Sequence, residues 1–378
     1  MAGTIGHDMI LMNDFLAEPP ELRQKMVSAL AEVLESGSFV LGKHVEAFER
    51  EWASLCGAQH CVGVGNGMDA IEIGLRALDI GPDDEVITTP MTAFATVLAI
   101  MRAGATPVFA DIDPDTAMLS PESVRRCLTA RTRAIILVHL YGQAGPIEDL
   151  LAITKDRAIH VIEDCAQAHS VLYKGHPVGS FGRVGAWSFY PTKNLGAIGD
   201  AGAVTTSSAE LAAKARALRN YGQTVRGHHP IRGMNSRLDD VQAAVLFVRL
   251  QYLARWTKRR QAIAKQYRER IHHPQVRLLP APVEAERHVY HLFVITCPQR
   301  SALQDHLKSQ GVESSIHYPV PAHKQEPCRS LPHDPLGLKH AERHAEECLS
   351  LPCHPGLTEV DTERIIQAVN SVRSRNLT

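Results

Sequence analysis

Residues 61–89 read CVGVGNGMDAIEIGLRALDIGPDDEVITT. A short β-branched run, CVGVG (61–65), enters a glycine-rich turn. The amphipathic helical pattern MDAIEIGLRALDI follows, and EVITT (85–89) supplies a second strand. The same succession continues through TPVFADI (106–112), RAIILVHL (133–140), HVIEDCA (160–166), VGAWSFY (184–190) and GAVTTS (202–207). Helical stretches such as AFATVLAIMRAG, SPESVRRCL and PIEDLLAITK lie between them. Near-continuous apolar strands alternating with helices describe a mainly parallel sheet covered on both faces. The expectation is an α/β fold with a seven-stranded sheet in one large domain. The Ser–Pro of SPES marks the N-cap and first turn of a helix.

A chain of 378 residues accommodates a large domain and a smaller partner. A helical region over 238–271 leads into a segment with fewer elements, HVYHLFVITC, SALQDHLKSQG and the Pro/His-rich IHYPVPAHKQEP. We assign residues 1–35 to an N-terminal segment packing on the small domain through the helix PPELRQKMVSALAEVLES. Residues 36–255 form the large α/β domain and 256–378 a small C-terminal α+β domain. Lys+Arg total 40 against Asp+Glu 41, which gives no electrostatic reason to expect nucleic acid or an anionic membrane as partner. No apolar run reaches the roughly 18 residues that span a bilayer. MAGTIGHDMILMNDF lacks the basic-then-apolar order of a signal peptide. The eight cysteines are scattered without a C-x-x-C, reading as free thiols of a cytoplasmic protein. His340, His344 and Cys348 fall at i, i+4, i+8 in KHAERHAEECL, but Ala341 stands where the zinc-protease pattern needs Glu. We read a helix face half-packed on the small domain, and no metal.

Ligands of such sheets bind beyond the carboxyl ends of the strands. GVGNGMDA, after the first strand, is a turn whose free N–H groups suit a phosphate. A plain tight turn and a dinucleotide site are the other readings, the latter weakened by its G-x-G-x-G spacing. Asp164 ends the apolar run HVIED, where a carboxylate is costly to bury alone. It either caps a following helix or holds a proton on a buried heterocyclic nitrogen. Lys193, in SFYPTKNLGAIGDAG (188–202), is a lone cation beside core-like sequence. Burial lowers an amine's pKa towards that of a nucleophile. A carboxylate for a pyridinium, an amine for an aldehyde and a cradle for a phosphate together describe pyridoxal 5′-phosphate (PLP).

The chain also resembles the PLP-dependent sugar-nucleotide aminotransferases, across roughly residues 37 to 360. The resemblance rests on GSFVLGKHVEAFEREWA, GVGNGMDAIEIGLRALDIGPDDEVI, GATPVFADIDPDT, VHLYGQ, VIEDCAQAH, WSFYPTKNLGAIGDAG, LRNYGQ, NSRLDDVQAA, IHYPVPAH and LSLPCHPGLT, in that order. It implies the fold type I architecture, with Lys193 as the Schiff-base lysine and Asp164 paired with the pyridine nitrogen. Gln167, one helical turn on, is implied to bond the ring hydroxyl. Ser188 and the amides of Gly67 and Met68 would hold the phosphate. Asn235 is implied to reach the phosphate from a neighbouring subunit, so the resemblance implies a homodimer with shared sites. Tyr190, His317 and Tyr318 take positions facing the sugar or its diphosphate.

Two departures stand out. Met68 replaces the family's usual Thr in G-T-D, which removes a side-chain hydroxyl from the cradle. In TTPMTAFAT the usual T-F-x-A-T is broken, because Ala93 follows Thr92 and Phe94 comes one place later. The residue that stacks on the ring is left unassigned. The resemblance implies transamination from L-glutamate to a nucleotide-linked keto-sugar. The GNGMDA turn and IHYPVPAH look more like members acting on dTDP-3-keto-6-deoxyhexoses than on 4-keto or UDP-3-keto sugars. An NAD-dependent sugar-nucleotide oxidoreductase and a non-catalytic binding relative are the rival classes. Relatives that dehydrate replace the lysine by histidine, whereas Lys193 is present here.

Overall fold

The computed structural model describes residues 9–372. The first eight residues of the stretch tested for a signal peptide, and residues 373–378 of the expected C-terminal domain, lie outside the described residues. Twelve strands occur in chain order among them: β1 (His60–Val64), β2 (Glu85–Thr88), β3 (Thr106–Phe109), β4 (Thr132–Val138), β5 (His160–Asp164), the short hairpin β6 (Leu172–Tyr173) and β7 (His176–Pro177), β8 (Val184–Ser188), β9 (Gly202–Thr206), β10 (Arg277–Leu278), β11 (Phe293–Thr296) and β12 (Cys348–Leu351). The helices are α1 (Pro20–Ser36), α2 (Lys43–Leu55), α3 (Gly67–Ala77), α4 (Phe94–Ala103), α5 (Pro121–Cys127), α6 (Ile147–Thr154), α7 (Ala209–Arg219), α8 (Asp240–Leu250), α9 (Leu253–Arg270), α10 (Arg300–Ser309), α11 (Lys339–Glu347) and α12 (Glu359–Ser371).

Seven strands form one sheet in the order β1-β9-β8-β5-β4-β2-β3. All run parallel except β9, which lies antiparallel between β1 and β8. Alternate residues of β4 enter different cores. Ile135 and Leu137 join Trp52, Trp187 and Phe189 on one face, and Ala134, Ile136 and Val138 join Ile73 and Leu75 on the other. The two faces are the physical source of the near-continuous apolar runs. Helix starts follow local chemistry. The Asn66 side chain accepts from Asp69 N at α3, and the Ser120 side chain accepts from Ser123 N ahead of Pro121 at α5.

A second, antiparallel sheet, β10-β11-β12, packs with α9, α10 and α12 around Tyr267, Phe293 and Ile365. Helix α9 crosses the expected 255/256 boundary unbroken. The N-terminal segment meets both sides of the expected 255/256 boundary. Leu22 and Met26 of α1 pack on Val245 of α8 and on Trp256, and Arg249 of α8 pairs with Glu18 at 2.6 Å. Only the segment ahead of it reaches the smaller sheet's side, where Ile10 bridges Val312. The apolar stripe of α1 thus packs on Val245 of α8 and on Trp256 of α9.

Candidate active site

The loop that joins antiparallel β8 to β9 carries Lys193, and partners from several elements pin it. Lys193 N donates to Tyr190 O at 2.8 Å, and Leu195 N to His169 Nδ1 at 3.0 Å. The Asn194 amide donates to Val289 O at 3.2 Å, and its oxygen lies 3.1 Å from His291 Nδ1. Burial brings the Lys193 amine down to about 8, against a smaller upward pull from the Asp164 carboxylate. The imidazoles of His169, at about 3, and His317, at about 4, are held neutral by burial and secondarily by Lys193.

Asp164 ends β5, and no helix follows it. Residues 165–170 turn, so Asp164 is not a helix cap. Its Oδ1 accepts from Ala166 N at 3.1 Å and its Oδ2 from Thr96 Oγ1 at 2.8 Å. Burial pushes the carboxyl up, and these two donors together with Lys193 and His139 oppose the rise. Gln167 sits in this turn rather than one helical turn on. Its oxygen accepts from Tyr141 N at 2.5 Å, and its amide donates to Tyr318 Oη at 3.1 Å. The Tyr141 hydroxyl donates to His317 O at 2.6 Å and lies 2.9 Å from His344 Nε2. Gln167, Tyr141, Tyr318 and the His317 carbonyl thus form one hydrogen-bond network, and Asp164 and Lys193 act on it through charge, Asp164 on the Tyr318 phenol and Lys193 on the His317 imidazole.

At the start of α3, Gly67 lies against Ser188 so closely that a Cβ on it would stand 2.6 Å from Ser188 Cβ. The first N–H groups of a helix have no partner within it. Those of Gly67 and Met68 are at this turn, where Gly67 adjoins Ser188. Asn235 and Tyr190 are not drawn into this group. Asn235 is exposed and bridges Asn220, and Tyr190 is 51% exposed. The question of the ring-stacking residue resolves into helix phase. Successive residues turn about 100°, so Phe94 and Thr96 point to nearly opposite sides of α4. Thr96 faces Asp164, while Phe94 packs on Val97, Phe109 and Ala322. Ala93 is the residue just ahead of α4 and offers no ring.

The predicted His340/His344/Cys348 face divides. His344 meets Tyr141, and Cys348 opens β12 with its thiol toward His317 O at 3.7 Å. A different trio, His139, Glu163 and Cys165, places ligand atoms within 4.8 Å of one another. The imidazole and carboxylate lone pairs of this trio are engaged. Glu163 accepts from the amides of Gly179, Phe181 and Gly182 and bonds His139 Nε2, while His139 Nδ1 accepts from Gly145 N. Strand alternation sends Glu163 into this framework and Asp164 into the site.

Sequence reading missed Thr96, Thr92, Tyr141 and His169. The Thr92–Thr96 spacing of four on a helical pattern was the one available signal; the others depend on contacts remote in sequence.

The residues present fit PLP: a buried carboxylate with lone pairs to spare, a lowered amine, and a cradle where only glycine leaves room. Fold and site belong to the PLP-dependent aminotransferases. The chain is a member of the DegT/DnrJ/EryC1/StrS aminotransferase family, which matches residues 20–370. It is 44% identical to a dTDP-3-amino-3,6-dideoxy-alpha-D-galactopyranose transaminase of Aneurinibacillus thermoaerophilus, over 92% of this chain and 95% of that one. A UDP-N-acetyl-3-dehydro-alpha-D-glucosamine 3-aminotransferase of Acidithiobacillus ferrooxidans is 40% identical over 95% and 97%. The crystal structure of DesV from S. venezuelae superposes with a TM-score of 0.92 at 41% identity, covering 96% of this chain and 98% of that one. Among the described residues no helix is long and apolar enough to cross a membrane.

Proposed function

We propose that this aminotransferase moves an amino group from L-glutamate to a nucleotide-linked keto-sugar, a dTDP-3-keto-6-deoxyhexose, giving a dTDP-3-amino-3,6-dideoxyhexose. The observation that carries the chemistry is the Lys193 amine, lowered to about 8 and held within electrostatic reach of buried Asp164. When bound, PLP supplies an aldehyde that exchanges amines and a protonated ring that withdraws electrons. Lys193 would anchor the aldehyde and, once freed as an amine, would move a proton to and from the substrate α-carbon. Asp164 would hold the proton of the ring nitrogen, and Gln167 would serve the ring hydroxyl. The amides of Gly67 and Met68 with Ser188 Oγ would hold the phosphate.

On the sugar side we place His317, Tyr318 and Tyr190. The exposed Asn235 is assigned to the site of a second copy, which makes the working unit a homodimer. A cytoplasmic location and divisions at 35/36 and 255/256 complete the reading. The choice of sugar is supported by the 44% identity to the dTDP-3-amino-3,6-dideoxygalactose enzyme, with a UDP-sugar relative close behind at 40%. The test is a rate comparison of dTDP-3-keto-6-deoxyhexose, its 4-keto isomer and a UDP-3-keto-sugar, each with L-glutamate. The 3-keto dTDP compound is expected to be aminated fastest, and a faster rate on either competitor reverses the assignment.

A further inference from the structure

Asp164 Oδ2 accepts the hydroxyl of Thr96, and the Thr96 oxygen in turn lies 2.8 Å from that of Thr92. A hydroxyl carries a single proton. With Asp164 ionised, Thr96 commits its proton to the carboxylate, so Thr92 is the donor in the second bond. The bonds run one way, from Thr92 through Thr96 to Asp164. Thr92 precedes α4 and Thr96 lies in its first turn, four residues on and on the same side of the helix. Both threonines are buried, at 4% and 1% exposure, where a hydrogen bond to a charge is strengthened by the low local dielectric.

We propose that Thr96, backed by Thr92, is a positioning residue that keeps Asp164 ionised and aims its remaining lone pairs at the ring nitrogen of bound PLP. This rests on the reading of Asp164 given above. Burial by itself favours the neutral acid, which could not be relied on to hold the ring proton. The titratable groups facing Asp164 from other elements are Lys193 after β8, His139 after β4 and the Tyr318 phenol. Lys193 changes its bonding and protonation during turnover, so its support for the carboxylate varies. The threonine hydroxyls do not titrate, and their support is constant.

The test is a PLP titration of the apo-protein, followed by absorbance over a series of pH values. Wild type, Thr96→Val, Thr96→Ser, Thr92→Val and Asp164→Asn are compared, with the apo urea midpoint of each measured alongside. Thr96→Val is expected to bind PLP about tenfold more weakly, the scale of one hydrogen bond to a charged group. Without this donor Asp164 protonates at higher pH, so affinity should fall away sooner on acidification. Thr96→Ser should restore both affinity and profile, and Thr92→Val should shift both in the same sense by less. Wild-type affinity and profile in Thr96→Val, or failure of Thr96→Ser to restore them, overturns the proposal. Should Thr96→Val not fold, an unchanged profile in Thr92→Val overturns it. If Asp164→Asn loses PLP affinity while the threonine variants do not, the role of Asp164 stands and the relay is rejected; if Asp164→Asn is also silent, both are rejected.

Discussion

Gly67 and Ser188 meet where the first turn of α3 faces the end of β8, and a Cβ on Gly67 would come within 2.6 Å of Ser188 Cβ. The contact couples a helix N-terminus to the strand that leads into Lys193. Gly67→Ala must push the two apart, because both sides are built from short atoms close to backbone. The expected result is a loss of PLP affinity of tenfold or more, on the order of the 1–3 kcal/mol that overpacking costs. Dialysis against PLP at graded concentrations measures it. Retention of wild-type affinity would remove Gly67 from the phosphate cradle.

Cofactor loading should depend on pH through Lys193. Its amine titrates at about 8, below the ordinary lysine value, because burial disfavours the charged form. Only the neutral amine attacks an aldehyde. The rate at which apo-protein takes up PLP should therefore climb about tenfold per pH unit below 8 and level off above it. A rate still climbing steeply at pH 9.5 would place the amine near an ordinary lysine. Lys193→Ala should take up no PLP covalently at any pH, judged by borohydride trapping.

Glu163 and His139 make an opposite prediction, one of stability without catalysis. Glu163→Gln turns one acceptor oxygen into a donor, facing either the N–H of Gly179 at Oε2 or those of Phe181 and Gly182 at Oε1. A buried mismatch of this kind costs about 1–3 kcal/mol. Urea denaturation reads it directly. Because the lone pairs of His139 and Glu163 are already engaged, prolonged EDTA treatment should leave activity unchanged, and a loss restored by added metal would contradict this.

Tyr141 separates the cofactor side of the network from the sugar side. Its N–H serves Gln167, and its hydroxyl serves His317 O and His344. Tyr141→Phe keeps the first and removes the second. PLP affinity should hold, while KM for the keto-sugar nucleotide rises about tenfold as the 317–318 segment loses its anchor, the worth of one or two hydrogen bonds. An equal loss in both would mean that the ring acts by packing alone.

The residues at the strand ends were readable because position along an alternating β/α chain dictates which side chains gather at the carboxyl edge. Lys193, Asp164 and the glycine turn that contains Gly67 are legible that way, as is the Ser120–Pro121 helix start, whereas the place of Ser188 in the cradle comes from the family resemblance. Other features escaped for identifiable reasons. A strand buried on both faces reads alike in either direction, so the reversal of β9 is settled only by its pairing with β1 and β8. The stripe of α1 announces burial without naming its partner, which Val245 of α8 and Trp256 of α9 supply. The substitution at Ala93 was visible, but where Phe94 points followed from the phase of α4 once Thr96 was tied to Asp164. Partners such as Thr96 and Asp164, 68 residues apart, or Tyr141 and His344, 203 apart, are joined by packing alone. Local sequence decides which groups a segment offers. The tertiary fold decides which of them share a low-dielectric space, and there their hydrogen bonds and charges acquire chemical weight.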